Sequence, residues 1–218
     1  MEKHVLVILP HPDDETLAMG GTIILQSRAG TPVTYVCGTL GEMGRNMGKP
    51  FFASRESLPR LREAELREAC AVLGVSDIRL LGIRDKTVEF VDRDQLVNRL
   101  MAMIEEIRPS LVLTYHPLFS VHPDHMAMGA ATVEAVGRIP ADRRPPVHYR
   151  AFGPGVEVLG PPDYVVDATE VLEAKMKAIG AHRSQTEGML ERMASDPEAR
   201  KRMEEMRSKE SYWIHKYE

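Results

Sequence analysis

The chain has little cysteine, few aromatics, no long apolar run and no excess of basic charge. Cys37 and Cys70 are the only two cysteines in 218 residues. Both lie inside apolar segments and form neither a disulfide framework nor a zinc-ribbon spacing, so a reducing cytoplasm is the expected compartment. No window approaches the ~20 uninterrupted apolar residues of a membrane span. The first apolar run, Val5 to Leu9, is followed at once by acids, which reads as a buried strand rather than a signal peptide. With 28 Lys+Arg against 32 Asp+Glu the formal net charge is −4, so neither nucleic acid nor a membrane is expected as partner. What remains is 43% hydrophobic and 28% charged residues, the balance of an ordinary globular protein. A chain of this length buries roughly 70% of its surface without staples.

Apolar runs alternate with amphipathic stretches, the pattern of an α/β three-layer sandwich with a mostly parallel sheet. Strands are predicted at His4 to Leu9, Pro32 to Cys37, Ile78 to Leu81 and Ser110 to Thr114, with short candidates near Val147 to Phe152 and Tyr164 to Val166. Helices are predicted at Glu15 to Ala29, stopped by Gly30, and at Leu58 to Leu73, Asp94 to Ile107 and Asp124 to Val136. Two more are predicted at Thr169 to His182 and Pro197 to Lys209, the latter capped by Asp196. Gly38 to Ser57 carries Gly38, Gly41, Gly44, Gly48 and Pro50 without periodicity, so it reads as a long loop, and long loops in compact domains are usually functional. A single domain over 1–218 is expected, with the sheet core in about the first 140 residues and 141–218 completing and covering it.

Two motifs carry chemistry. His11-Pro12-Asp13-Asp14-Glu15 follows the first strand, where ligands bind in open α/β sheets. One Asp satisfies a helix cap, whereas three acids after a His crowd like charges unless a cation balances them. His122-Pro123-Asp124-His125 repeats the arrangement after a later strand and sets two imidazoles three residues apart on one helix face. Imidazole and carboxylate together suit Zn²⁺ with an open fourth position, and the same donors suit Fe²⁺ or another divalent ion. The chemistry that follows is metal-assisted hydrolysis of an amide or ester, in which one carboxylate binds the ion and a second is general base; Asp13 and Asp14 supply the two carboxylates and His122 the proton donor. A non-haem iron oxygenase is the alternative from another class, but it has no need of the second acid. A nucleotide-binding module is disfavoured because acids stand where a phosphate loop needs glycine and backbone amides.

These two motifs resemble those of the zinc-dependent N-acetylglucosamine deacetylases of the LmbE/PIG-L family, and the likeness runs through nearly the whole chain. The resemblance implies a Rossmann-like fold, with His11, Asp14 and His125 holding one Zn²⁺. It implies Asp13 as general base, His122 as the group that protonates the leaving amine or stabilises the oxyanion, and Asp124 as the acid that orients the catalytic His. The stretches TLGEMGRNMG (39–48), ASRESLPRLREAEL (53–66) and LGIRDKTVEF (81–90) resemble the second type of bacillithiol-biosynthesis deacetylase. This implies an N-acetylglucosaminyl conjugate as substrate, N-acetylglucosaminyl-malate first among them, with a thiol conjugate or another amino sugar as alternatives. By the same likeness Glu42, Arg55 and Asp85 contact the sugar or its acidic aglycone, for which an Arg fork is suited. The chain departs from the family at Val121, where relatives place an Arg. His116 is a further candidate near the ion. His182, in Ala181-His182-Arg183-Ser184-Gln185, is expected to be structural or supporting, since no acid lies near it in sequence. Met189, Met193, Met203 and Met206 fall at helical spacing and are core or interface filler. The family likeness implies a homo-oligomer, trimer or hexamer.

Overall fold

The computed structural model describes residues 2–217. Its strands are β1 (Val5–Leu9), β2 (Val33–Cys37), β3 (Asp77–Leu80), β4 (Leu111–Tyr115), β5 (Val147–Arg150), β6 (Tyr164–Asp167) and β7 (Lys209–Ile214). They form one seven-stranded sheet in the order β3-β2-β1-β4-β5-β7-β6. The first five strands in that order pair in parallel, and β7 runs antiparallel to both of its neighbours. The helices are α1 (Asp14–Arg28), α2 (Leu58–Leu73), α3 (Arg93–Ile107), α4 (Pro123–Gly137), α5 (Leu172–Ala181), α6 (Arg183–Ser195) and α7 (Pro197–Arg207). This is the α/β architecture with a mostly parallel sheet that the alternating pattern predicts.

β1 explains why its sequence is uniformly apolar. Its side chains alternate between faces, and all five are fully buried. Val5, Val7 and Leu9 join Met19 and Ile23 of α1 and Leu66 of α2, while Leu6 and Ile8 join Val97 and Leu100 of α3 and Met128 of α4. Each such side chain contributes roughly 1.5–3 kcal/mol on burial. The chain leaves β1 toward β2 on one side and returns on the other side as β4. The carboxyl ends of β1 and β4 therefore flank the point where the strand order reverses, and the loops after them face one crevice. α4 presses close against β4 there: a Cβ on Gly129 would fall 2.1 Å from the carbonyl oxygen of Tyr115.

Two elements differ from expectation. The chain past residue 207 is strand β7, not more helix, and α6 occupies 183–195, where the sequence shows no clear period. β7 hides its alternation because one of its two inward residues is Glu210, fully buried beside Tyr212. α6 has Met193 as its only buried apolar residue, so it carries almost no stripe to read. Asp196 caps α7 as expected, accepting from the backbone N–H of Glu198 and of Ala199.

Candidate metal centre

Both motifs arrive at the crevice from strand ends. His11 follows β1, Asp14 opens α1, and His125 lies in the first turn of α4. His11 Nδ1 is 3.1 Å from His125 Nε2 and 3.4 Å from Asp14 Oδ2, and His125 Nε2 is 3.3 Å from Asp14 Oδ1. A tetrahedral ion with bonds of 2.0–2.1 Å separates its ligand atoms by about 3.3 Å.

The outward nitrogens are occupied in the manner of metal-ligating histidines. His125 Nδ1 is 3.1 Å from the Ser120 carbonyl, which leaves Nε2 as the bare nitrogen of the neutral ring. His11 Nε2 lies 3.1 Å from Asp124 Oδ2 and 3.2 Å from Asp85 Oδ1, which leaves Nδ1 bare. With those tautomers two bare nitrogens face each other beside a carboxylate, a donor set that suits a divalent cation. Burial pushes the His11 imidazole down, but Asp124, Asp14 and Asp85 outweigh it and hold the ring well above the usual histidine range. Asp14 is likewise raised by burial, but His125 and His11 bring it well below the usual carboxylate range. Tyr115 supports two of the donors, donating to Asp14 Oδ1 at 2.9 Å and stacking on His125 at 4.3 Å between ring centroids.

Asp13 sits beside this set in a different setting. Its backbone is left-handed, at φ 100°, which costs a non-glycine residue roughly 1–3 kcal/mol. Its N–H donates to Glu15 Oε2 at 3.0 Å, and Arg62 Nη2 donates to its Oδ2 at 2.9 Å and also to the Pro12 carbonyl. Burial pushes the Asp13 carboxyl up to about 6, with Arg62 opposing and Asp14 and Glu15 adding to the rise. Gly41 makes room for Arg62, since a Cβ there would fall 1.7 Å from the guanidinium. His122 is the N-cap of α4, and its Nδ1 accepts the Asp124 N–H at 3.2 Å, so the ring proton resides on Nε2. Burial, with His11 and His125 adding, lowers its pKa and keeps it a neutral donor.

The remaining residues singled out from sequence are placed as follows. The Asp124 carboxylate contacts His11 rather than His122, and it also accepts from the backbone N–H of Lys86 at 2.7 Å and of Val88 at 3.1 Å. Asp85 is buried, against His11 and the Met43 N–H, and Glu42 accepts the Asp85 N–H, so the loops after β2 and β3 are tied together. Arg55 is exposed and binds the carbonyls of Glu42 and Gly44. His116 lies apart, its Nδ1 accepting from Leu118 and Phe119, its ring against Tyr149 and its pKa pushed by burial down to about 4. The partner of His182 is Glu15, 2.6 Å away and remote in sequence.

Arg62 and Tyr115 are site residues that the sequence reading did not single out. Arg62 left a signal, because it interrupts the apolar stripe of α2 between Leu58 and Leu66. The cavity over the site, about 430 Å³, includes Asp13, His122, Arg45, Lys86 and Gln185 in its lining. A larger cleft of about 650 Å³ lies near Ile104, Arg108 and Ile139, with no His, Cys or Asp in its lining.

Carboxylate and imidazole side chains meet at the switch point of a doubly wound sheet, with a second acid held apart by Arg62, and this is the donor set of a metal-dependent hydrolase. The chain belongs to the PIG-L (GlcNAc-PI de-N-acetylase) family, whose model matches residues 6–136. It is 54% identical over 192 residues to "Probable N-acetyl-alpha-D-glucosaminyl L-malate deacetylase 2" of Bacillus cereus, covering 88% of this chain and 87% of that one. A Bacillus subtilis protein of the same name is 51% identical over 191 residues, covering 87% and 86%. Among solved structures, the N,N'-diacetylchitobiose deacetylase of Pyrococcus horikoshii superposes with a TM-score of 0.77 at 29% identity, over 98% of this chain and 84% of that one.

Proposed function

We propose that the chain removes acetate from N-acetylglucosaminyl-malate in bacillithiol biosynthesis, working as one domain with Zn²⁺ held by His11, Asp14 and His125. The observation that carries the reading is that His11 Nδ1 and His125 Nε2 lie 3.1 Å apart, with Asp14 placing Oδ2 at 3.4 Å from the first and Oδ1 at 3.3 Å from the second, beside a separately held Asp13. A divalent ion bound there supplies Lewis acidity to a carbonyl oxygen and acidifies a water. Asp13 takes the proton of the attacking water through Oδ1, which has no hydrogen-bond partner among the described residues, while Arg62 fixes Oδ2. His122, its proton on Nε2, hydrogen-bonds to the developing oxyanion, and the proton that Asp13 took from the water passes to the departing amine as the C–N bond breaks. Asp124 and Asp85 keep His11 oriented with Nδ1 inward.

Arg45 and Lys86 stand at the cavity, and cations there suit an acidic aglycone. A cytoplasmic setting fits two free, buried cysteines, and no described helix is long and apolar enough to cross a membrane. The exposed Met206 suits a trimeric or hexameric contact, which light scattering measures directly. The deciding experiment couples metal analysis to acetate release from N-acetylglucosaminyl-malate and from a panel of other N-acetyl sugars. One equivalent of zinc and fastest release from the malate conjugate are expected. Preference for another sugar overturns the substrate, and no acetate from any of them overturns the reaction.

A further inference from the structure

Glu15 and His182 form a pair without solvent exposure, with Glu15 Oε1 2.6 Å from His182 Nε2. The other oxygen of the same carboxylate, Oε2, accepts the backbone N–H of Asp13 at 3.0 Å. His182 has no second anchor: its buried Nδ1 is without a partner. Its sole polar side-chain contact among the described residues is therefore the acid that holds the base's own peptide. Asp13 needs such holding, since its φ of 100° is unfavourable for an L-residue. Thr16 Oγ1 and the Leu17 N–H hold the Asp13 carbonyl, and Arg62 holds the carboxylate, so Glu15 is the contact that fixes the N–H end.

The geometry points to Glu15 and His182 as positioning residues for Asp13: the imidazole orients the Glu15 carboxylate, which in turn keeps the base in its left-handed conformation. The inference rests on Asp13 being the base of the proposed reaction. The segment carrying His182 has a separate anchor. Ser184 donates to the buried Glu65 through both its N–H and its Oγ, each at 2.7 Å. Losing the His182 contact therefore leaves the start of α6 seated, with Gln185 still at the cavity wall. The consequence is a loss in kcat rather than in KM or in metal content.

The test compares His182→Leu, His182→Gln and Glu15→Gln with the wild-type chain for kcat, KM, bound metal and Tm. His182→Leu removes the donor, and kcat is expected to fall on the order of 10–100-fold with KM and metal stoichiometry unchanged. His182→Gln restores an N–H donor toward Glu15 and recovers most of that loss. Glu15→Gln presents an amide N–H to one of two donors and is expected to lose kcat like His182→Leu. Should Glu15→Gln fail to fold, the two His182 variants decide the matter alone. A lowered Tm with unchanged kcat in His182→Leu makes the pair a structural staple and overturns the inference. So does a loss confined to KM or metal content, or equal losses in Leu and Gln. If the wild-type chain itself releases no acetate, it is the deacetylase reading that fails, and the two failures are told apart by that control.

Discussion

Asp13 and Asp14 are adjacent in sequence and chemically alike, yet their surroundings give them opposite properties. Burial, which Arg62 and then His182 offset only in part, puts Asp13 at about 6, whereas His125 and His11 hold Asp14 well below the usual range despite its burial. A carboxyl kept near neutrality is suited to exchanging a proton, and one kept ionised is suited to a cation. Asp13→Asn is accordingly expected to retain its full metal content while kcat falls roughly 10²–10⁴-fold, checked by elemental analysis beside acetate release. His125→Ala removes one of the three proposed donors, so its bound metal is expected to fall below a tenth of an equivalent in the same analysis, a drop on the order of tenfold or more. The candidate donors were visible in the sequence because His, Pro and Asp recur together at short spacing after two separate strands, with more acids than a helix cap needs. Their supports were not. Tyr115 reads as the last residue of a strand, Glu15 as one more acid, and the use of Asp124 on His11 instead of His122 depends on the angle at which α4 enters. Such roles are set by side chains from distant segments, which no local spacing encodes.

β7 was hidden for a related reason, since the residue that seats it is charged. Glu210 is fully buried and accepts from the N–H of Gly21 at 2.7 Å, from the N–H of Thr22 at 2.8 Å and from Lys175 Nζ at 2.6 Å. A pattern search for apolar alternation passes over such a strand, whereas β1, β2 and β4 are apolar on both faces and were read to within a residue or so. α6 was missed because it packs through polar contacts, Ser184 to Glu65 and Lys49 to Glu191, which carry no helical period. The Glu210 contact sets an expectation for acid stability. Burial raises its carboxyl, but Lys175 and the Thr22 donors outweigh this and bring it below the ordinary value of 4.5. Its contribution is thus complete above pH 4.5 and is lost as pH falls through the lower folded value. Between pH 4.5 and that lower value the wild-type Tm is expected to decline more steeply with acidification than that of Glu210→Gln, in thermal unfolding scans from neutral to acid pH. At neutral pH, Lys175→Met strands the carboxylate at a cost of roughly 3–5 kcal/mol, read as a Tm lower by about 10 °C.

At the scale of the whole molecule, the site joins the two halves of the sheet. His11 and Asp14 belong to the β1–β3 half and His125 to the half that begins with β4, so the proposed ligand atoms come from either side of the strand-order reversal. The fold alone holds these donors close: Tyr115 of β4 reaches Asp14 at the start of α1, and Asp124 of α4 reaches His11 after β1. An ion bound among the donors would add a further tie between the two halves. An ion present at roughly a thousandfold above its Kd stabilises the folded state by about 4 kcal/mol. In a chain of this size that corresponds to a Tm higher by roughly 10 °C. Chelation is therefore expected to lower the Tm by that order and to increase amide exchange in the loops after both β1 and β4, because each loses its tie to the other half. His125→Ala, already without its ion, is expected to show neither response to the chelator. A Tm indifferent to chelation in a zinc-loaded wild-type chain, or loosening confined to one loop, would mean that the ion is held by one half alone and that the two strand ends meet for another reason.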